Sequence, residues 1–101
     1  MDEATLFQLL KTTGVPVAYH HFTSPPTPPY IVYLFSHTEN FGADNKVYAA
    51  EKNFQVELYT TKKDLASEKL IEDLFNANDI YWEKTETYIE SEGLNQVLYE
   101  I

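Results

Sequence analysis

The chain contains no cysteine, no arginine and only three glycines, and it has no apolar run of membrane-spanning length. Without cysteine there can be no disulfide, no thiolate metal site and no cysteine nucleophile. Without arginine there is no bidentate fork for phosphate: all seven basic residues are lysines, set against sixteen carboxylates. The net charge of −9 repels a phosphate backbone and no basic stripe is present, so specific nucleic-acid binding is not expected. Gly14, Gly42 and Gly93 are too scattered for a Walker loop or a dinucleotide fingerprint, and no serine sits in a nucleophile elbow. The opening MDEATLFQLLKTTG lacks a basic leader and a long apolar segment, so neither a signal peptide nor a membrane span is expected and a cytosolic origin is.

What is present is apolar and aromatic. Hydrophobic residues make up 44% and aromatic ones 15% of 101 residues, which is enough for one packed domain over 1–101 and too much for a disordered chain. Asp2 caps a helix running to Lys11 or Thr12, with Leu6, Phe7, Leu9 and Leu10 as its stripe and Gly14 and Pro16 as its stop. VPVAYHHF reads as extended, placing Val15, Val17 and Tyr19 on one face and Ala18, His20 and Phe22 on the other. YIVYLFS, from Tyr30 to Ser36, is apolar on both faces, as a central strand is. HTENFGADNKVYAAEKN is polar and turn-rich, and reads as a protruding loop or hairpin tip carrying Phe41 and Tyr48, with Asp44 and Asn45 at left-handed positions. NFQVELYT alternates with Phe54, Val56 and Leu58 inward. TKKD then places Thr61 as the cap of a second helix, with Leu65, Leu70, Ile71, Leu74 and Phe75 buried and Glu68, Lys69, Glu72 and Asp73 toward water. IYWEKTETYIES and LNQVLYEI form a terminal hairpin with its turn near Glu92-Gly93. The expected fold is therefore α+β: a mostly antiparallel sheet of about five strands with two helices on one face, in the order α-β-β-β-α-β-β.

Chemistry is hard to place on this frame. His20 and His21 are strand neighbours pointing to opposite faces, so they cannot share an ion without a bulge, and His37 adds one ligand at most. Glu83, Glu86, Glu90, Glu92 and Glu100 crowd the terminal hairpin at alternating, solvated positions, where they read as a charged face that discourages aggregation or as an acidic patch for a partner. No catalytic residue, metal or cofactor is expected, and no enzyme.

SPPTPP is the one unusual segment. Four prolines in five residues favour an extended polyproline form, and Pro26, Pro28 and Pro29 have no donor to give a sheet. The segment reads either as a stiff connector or as a pre-extended arm lying on a neighbouring protein, with Phe22 and Tyr30 as anchors and Pro25, Pro26, Pro28 and Pro29 between them.

GVPVAYHHF, PPYIVYLFSHTENFGADNKVY, NFQVELYTTKKD and IYWEKTETYIESEGLNQVLYEI together resemble a family of small proteins from tailed phages and prophages of Gram-positive bacteria, the tail completion or head–tail joining proteins. The resemblance runs from Gly14 to Ile101 and is one of strand and turn pattern. It implies an α+β fold of this element order and a structural role with no catalytic residues. Copies would assemble as a ring, typically hexameric, that meets tail-tube and head-connector proteins; isolated chains would be monomeric, made in the host cytoplasm and ending at the virion's head–tail junction. The contact surfaces it implies are sheet edges and long loops, here Thr23–Tyr30 and Phe41–Tyr48. The alternative is an acidic cytosolic binding or regulatory module that mimics DNA.

Overall fold

The computed structural model describes residues 1–43 and 46–101, and over 37–43 and 46–52 it describes the backbone alone. The elements are α1 (Glu3–Lys11), β1 (Val17–Tyr19), β2 (Tyr30–Ala43), β3 (Lys46–Thr60), α2 (Leu65–Ala77), β4 (Glu83–Ile89) and β5 (Leu94–Glu100), in the expected order. They form a five-stranded mixed sheet, β1-β2-β3-β5-β4. All pairs are antiparallel except β1 with β2, where Val17, Ala18 and Tyr19 lie parallel to Ile31, Val32 and Tyr33.

The period-two pattern puts Ile31, Tyr33, Phe54, Val56, Leu58, Val97 and Tyr99 on one sheet face, because the register sets Tyr33 beside Val56 and Val56 beside Tyr99. Both helices cover that face. Leu6 and Leu10 of α1 and Ile71 and Phe75 of α2 complete the core, each fully buried. Phe75 and Trp82 meet the Tyr99 ring edge-on, both at 5.7 Å between centroids.

Asp2 caps α1 as expected, accepting from the Thr5 N–H at 2.8 Å, and the chain leaves through Gly14 at φ +78. The second helix differs from the sequence reading at two points. Its cap is Asp64 and not Thr61: Asp64 accepts from the Ser67 N–H at 3.0 Å and the Ser67 hydroxyl at 2.8 Å. Starting there keeps Lys62 and Lys63 out of the first turn, where their charge would oppose the helix dipole. The buried stripe is Ser67, Glu68, Ile71 and Phe75, whereas Leu65 and Leu70 are exposed. Glu68 goes inward, where Lys63 and Lys84 pair with it.

The stretch His37–Asn53, read as a protruding loop or hairpin tip, is largely ladder, as in a hairpin. β2 and β3 stay paired from Tyr30–Tyr59 out to Ala43–Lys46, with register shifts at Phe35/His37 and Phe41/Gly42. Backbone hydrogen bonds do not require an apolar side chain, so a polar stretch with no sheet flanking it can still pair. Asp44 and Asn45 lie outside the described residues, as do the side chains of Phe41 and Tyr48.

The Phe75→Ala variant should lose about 3–5 kcal/mol of unfolding free energy, against less than about 0.5 kcal/mol for Leu65→Ala. Urea titrations at unchanged m-value measure both, and equal losses would contradict this division of α2 into buried and exposed faces.

Candidate functional site

The proline segment is a strap, not a free arm. β1 ends beside Tyr33 while β2 begins at Tyr30, so the chain must travel back before pairing can start. It does so over the sheet face opposite the helices, bending at 23–24 and again at 27–29 in place of one extended rod, and the Pro28–Pro29 bond is cis. Phe22 meets Tyr30 edge-on at 5.4 Å, and Tyr30 stacks on Tyr59 at 5.1 Å. Tyr30 is buried within its own chain. A hollow of about 150 Å³ results, lined by His20, His21, Phe22, Pro25, Tyr30, Val32, Tyr59 and Glu92. Burial, then the Glu92 charge, raises the Tyr30 phenol. Burial, then the hydrogen bond to Glu57, pushes Tyr59 up to about 12; its hydroxyl donates to Glu57 Oε1 at 2.8 Å and accepts from Gln96 Nε2 at 2.9 Å. Pro28 and Pro29 face elsewhere, into a hollow of about 310 Å³ shared with residues 60–65.

The second feature is a ribbon. β1 accompanies β2 only as far as Tyr33, and the Tyr19 hydroxyl accepts from the Phe35 N–H at 3.2 Å just beyond. β5 accompanies β3 from Gln55, with Phe54 and Ile101 exchanging backbone hydrogen bonds at 3.3 and 3.0 Å. Past those points β2 and β3 continue as two strands with both outer edges open among the described residues. At about 3.4 Å per residue, residues 37–43 reach roughly 20 Å beyond the core, and the molecule measures 50 × 29 × 23 Å. A further open edge among the described residues is β4, the end strand of the sheet, exposed along nearly its whole length.

A third feature ties α2 to β4. Glu68, 2% exposed, lies 2.8 Å from Lys63 Nζ through Oε2 and 3.0 Å from Lys84 Nζ through Oε1. Lys63 also reaches Glu86, and Lys84 reaches Glu72, each at 2.8 Å. Glu72 takes the Tyr99 hydroxyl at 2.7 Å, and burial followed by that bond drives the Tyr99 phenol well above its usual range. Burial pushes the Glu68 carboxyl up, but the hydrogen bonds from Lys63 and Lys84 outweigh it and hold the group below the ordinary glutamate range.

Of the residues proposed from sequence, Phe22, Pro25 and Tyr30 come together in the strap hollow, whereas Pro28 and Pro29 line the second one and Pro26 lines neither. Glu83, Glu86, Glu90, Glu92 and Glu100 are all exposed. Sequence reasoning missed Tyr59, which the strap brings to Pro25 together with Glu92, and read Glu92 only as part of the hairpin's acidic face. It also missed Glu68, although the spacing 68, 71, 75 would have placed it on the buried stripe. No protein-family model matches the chain, and no curated protein matches it significantly.

A carboxyl lowered on folding stabilises the fold above its unfolded pKa of about 4.3 and loses that contribution as pH falls through the lower folded value. Glu68→Gln should therefore cost about 1.5–3 kcal/mol at neutral pH, the range for hydrogen bonds to charged groups. The gap between wild type and variant should close as acid protonates Glu68. Urea unfolding at neutral, mildly acidic and strongly acidic pH reads it; a pH-independent gap would assign the cost to packing.

Proposed function

We propose that the protein is a non-catalytic assembly subunit of a tailed phage or prophage, made in the host cytoplasm, that joins or terminates the tail at the head–tail interface by ring assembly. The resemblance over Gly14–Ile101 motivates the reading. The observation that carries it is the pair of unlike open edges, the β4 edge at one end of the sheet and the β2 side of the ribbon at the other.

Pairing one such edge with the other on the next copy is a heterologous contact, which closes into a ring when the rotation permits. A two-stranded ribbon is marginal alone in water, so a partner strand gives its backbone groups what solvent gives less well. The charge of −9 suits a channel through which DNA slides without adhering.

A second reading, an acidic module that captures a basic protein, is favoured by one detail. Glu83 and Glu100 oppose each other on the face without helices, with Glu57 on the same face. That reading predicts tight, salt-sensitive binding to a basic partner and no part in particle assembly.

Thr38 and Lys52 are directly paired, so residues 39–51 can be replaced by Asn-Gly to close a short hairpin on the same register. The shortened protein should unfold cooperatively like wild type yet leave an inducible prophage with tail-less heads and free tails, and native mass spectrometry of tails should show no ring. Normal infectious particles from the shortened variant would exclude the ribbon's part. Normal particles from a prophage lacking the gene would refute the head–tail role itself.

A further inference from the structure

We propose that His20 and His21 form a two-imidazole chelate for a borderline divalent transition ion such as Zn²⁺, Ni²⁺ or Cu²⁺, at the rim of the strap hollow. The alternation that would separate neighbouring histidines stops one residue early. β1 ends at Tyr19, and His20 leaves it with φ of +67. The His20 N–H donates to the Tyr33 carbonyl at 2.7 Å, and the His21 N–H turns back to the Tyr19 carbonyl, also at 2.7 Å. That closure across one residue is a γ-turn centred on a non-glycine residue in the left-handed region, a conformation that costs about 1–3 kcal/mol and concentrates where a site needs it.

What the turn produces is a bite. The two Nδ1 atoms lie 3.2 Å apart with the ring planes at 90°. Two nitrogens bound to one ion at about 2.0–2.1 Å are separated by about 2.9 Å at a right angle and about 3.3 Å at the tetrahedral angle. The observed spacing falls between these limits. With no ion, one Nδ1–H donates to the other Nδ1. With an ion, both Nδ1 lone pairs face it and each ring keeps its proton on Nε2, so both imidazoles stay neutral.

Both histidines are exposed, and both are anchored through their backbone N–H groups, which leaves the pair open to solvent and preorganised. Imidazole nitrogens select this class of ion over Mg²⁺ or Ca²⁺. Glu92 lines the same hollow and adds negative charge to it. Among the described residues no group of three or more His, Cys, Asp or Glu is placed to hold a metal, so water or a group from a partner fills the remaining positions.

Calorimetric titration of the full chain with NiCl₂ and ZnCl₂ tests the site, with MgCl₂ as the control. His20→Gly is the informative variant, because glycine accepts φ of +67 without strain and should not lower the urea midpoint. Wild type should take up one equivalent of Ni²⁺ or Zn²⁺ and no Mg²⁺. His20→Gly and His21→Ala should each weaken uptake by about tenfold or more, as loss of a ligand does at least as much harm as loss of its supporting shell. Cu²⁺ bound to wild type should show coupling to two imidazole nitrogens in its electron paramagnetic resonance spectrum. Unchanged uptake by either variant, no uptake by wild type, or coupling to a single nitrogen would overturn the proposal.

Discussion

Three residues of β1 run parallel to β2, and that direction sets the layout of the face opposite the helices. Antiparallel neighbours can be joined by a tight turn, whereas parallel ones oblige the chain to retrace the strand's length before pairing begins. Residues 20–29 are that return path. Proline suits it because a backbone with few donors cannot be recruited as an extra strand beside β1. Phe22 and Pro25 then give the return an apolar underside, which closes over Tyr30 and Tyr59 on the face that no helix covers. The reversal must start abruptly after Tyr19, and His20 supplies it in a left-handed conformation. The strap, the hollow and the facing imidazoles are thus consequences of one pairing direction.

On the helical face the apolar core reaches β5 and stops. The last strand is attached by its ladder to β5 and by ion pairs, from Lys84 to Glu68 and Glu72 of α2 and from Glu86 to Lys63 just before the helix. Glu68 is the hinge of that attachment, since a carboxylate at 2% exposure is tolerable only with both lysines in place. Docking an edge strand through charge keeps apolar surface off it. Edges of this kind resist indiscriminate pairing while their backbone groups remain accessible.

The sheet strands were legible where one face is buried, because alternation at Phe54, Val56 and Leu58 admits one orientation. Element order followed from turn signals such as Gly14 and Gly93, both at positive φ in the structure. Strand direction was not legible: VAY carries no mark saying that its neighbour runs parallel, and so the strap's path and the partners of Phe22 could not be read. The α2 cap was misplaced because Thr61 and Asp64 both fit a capping pattern, and only the three-dimensional position of the lysines decides between them. Glu68 was sent to solvent on residue type alone, although its helical position lay on the core stripe. The facing of His20 and His21 was missed for a related reason, since the rule of alternation holds only while the strand continues.

Electrostatics then decides which surfaces two copies can present to each other. The face without helices carries Glu57, Glu83 and Glu100 in neighbouring strands, and stacking two such faces would set like charges within a Debye length of about 8 Å at physiological salt. Like-charge juxtaposition of this kind disfavours a face-to-face dimer. The edges meet instead through backbone N–H and C=O groups, which are neutral and complementary in an antiparallel ladder. The contact between copies that the proposed ring assembly requires would therefore fall to the edges and not to the faces. In that proposed arrangement the strap face, with its hollow and its two histidines, would stay turned outward.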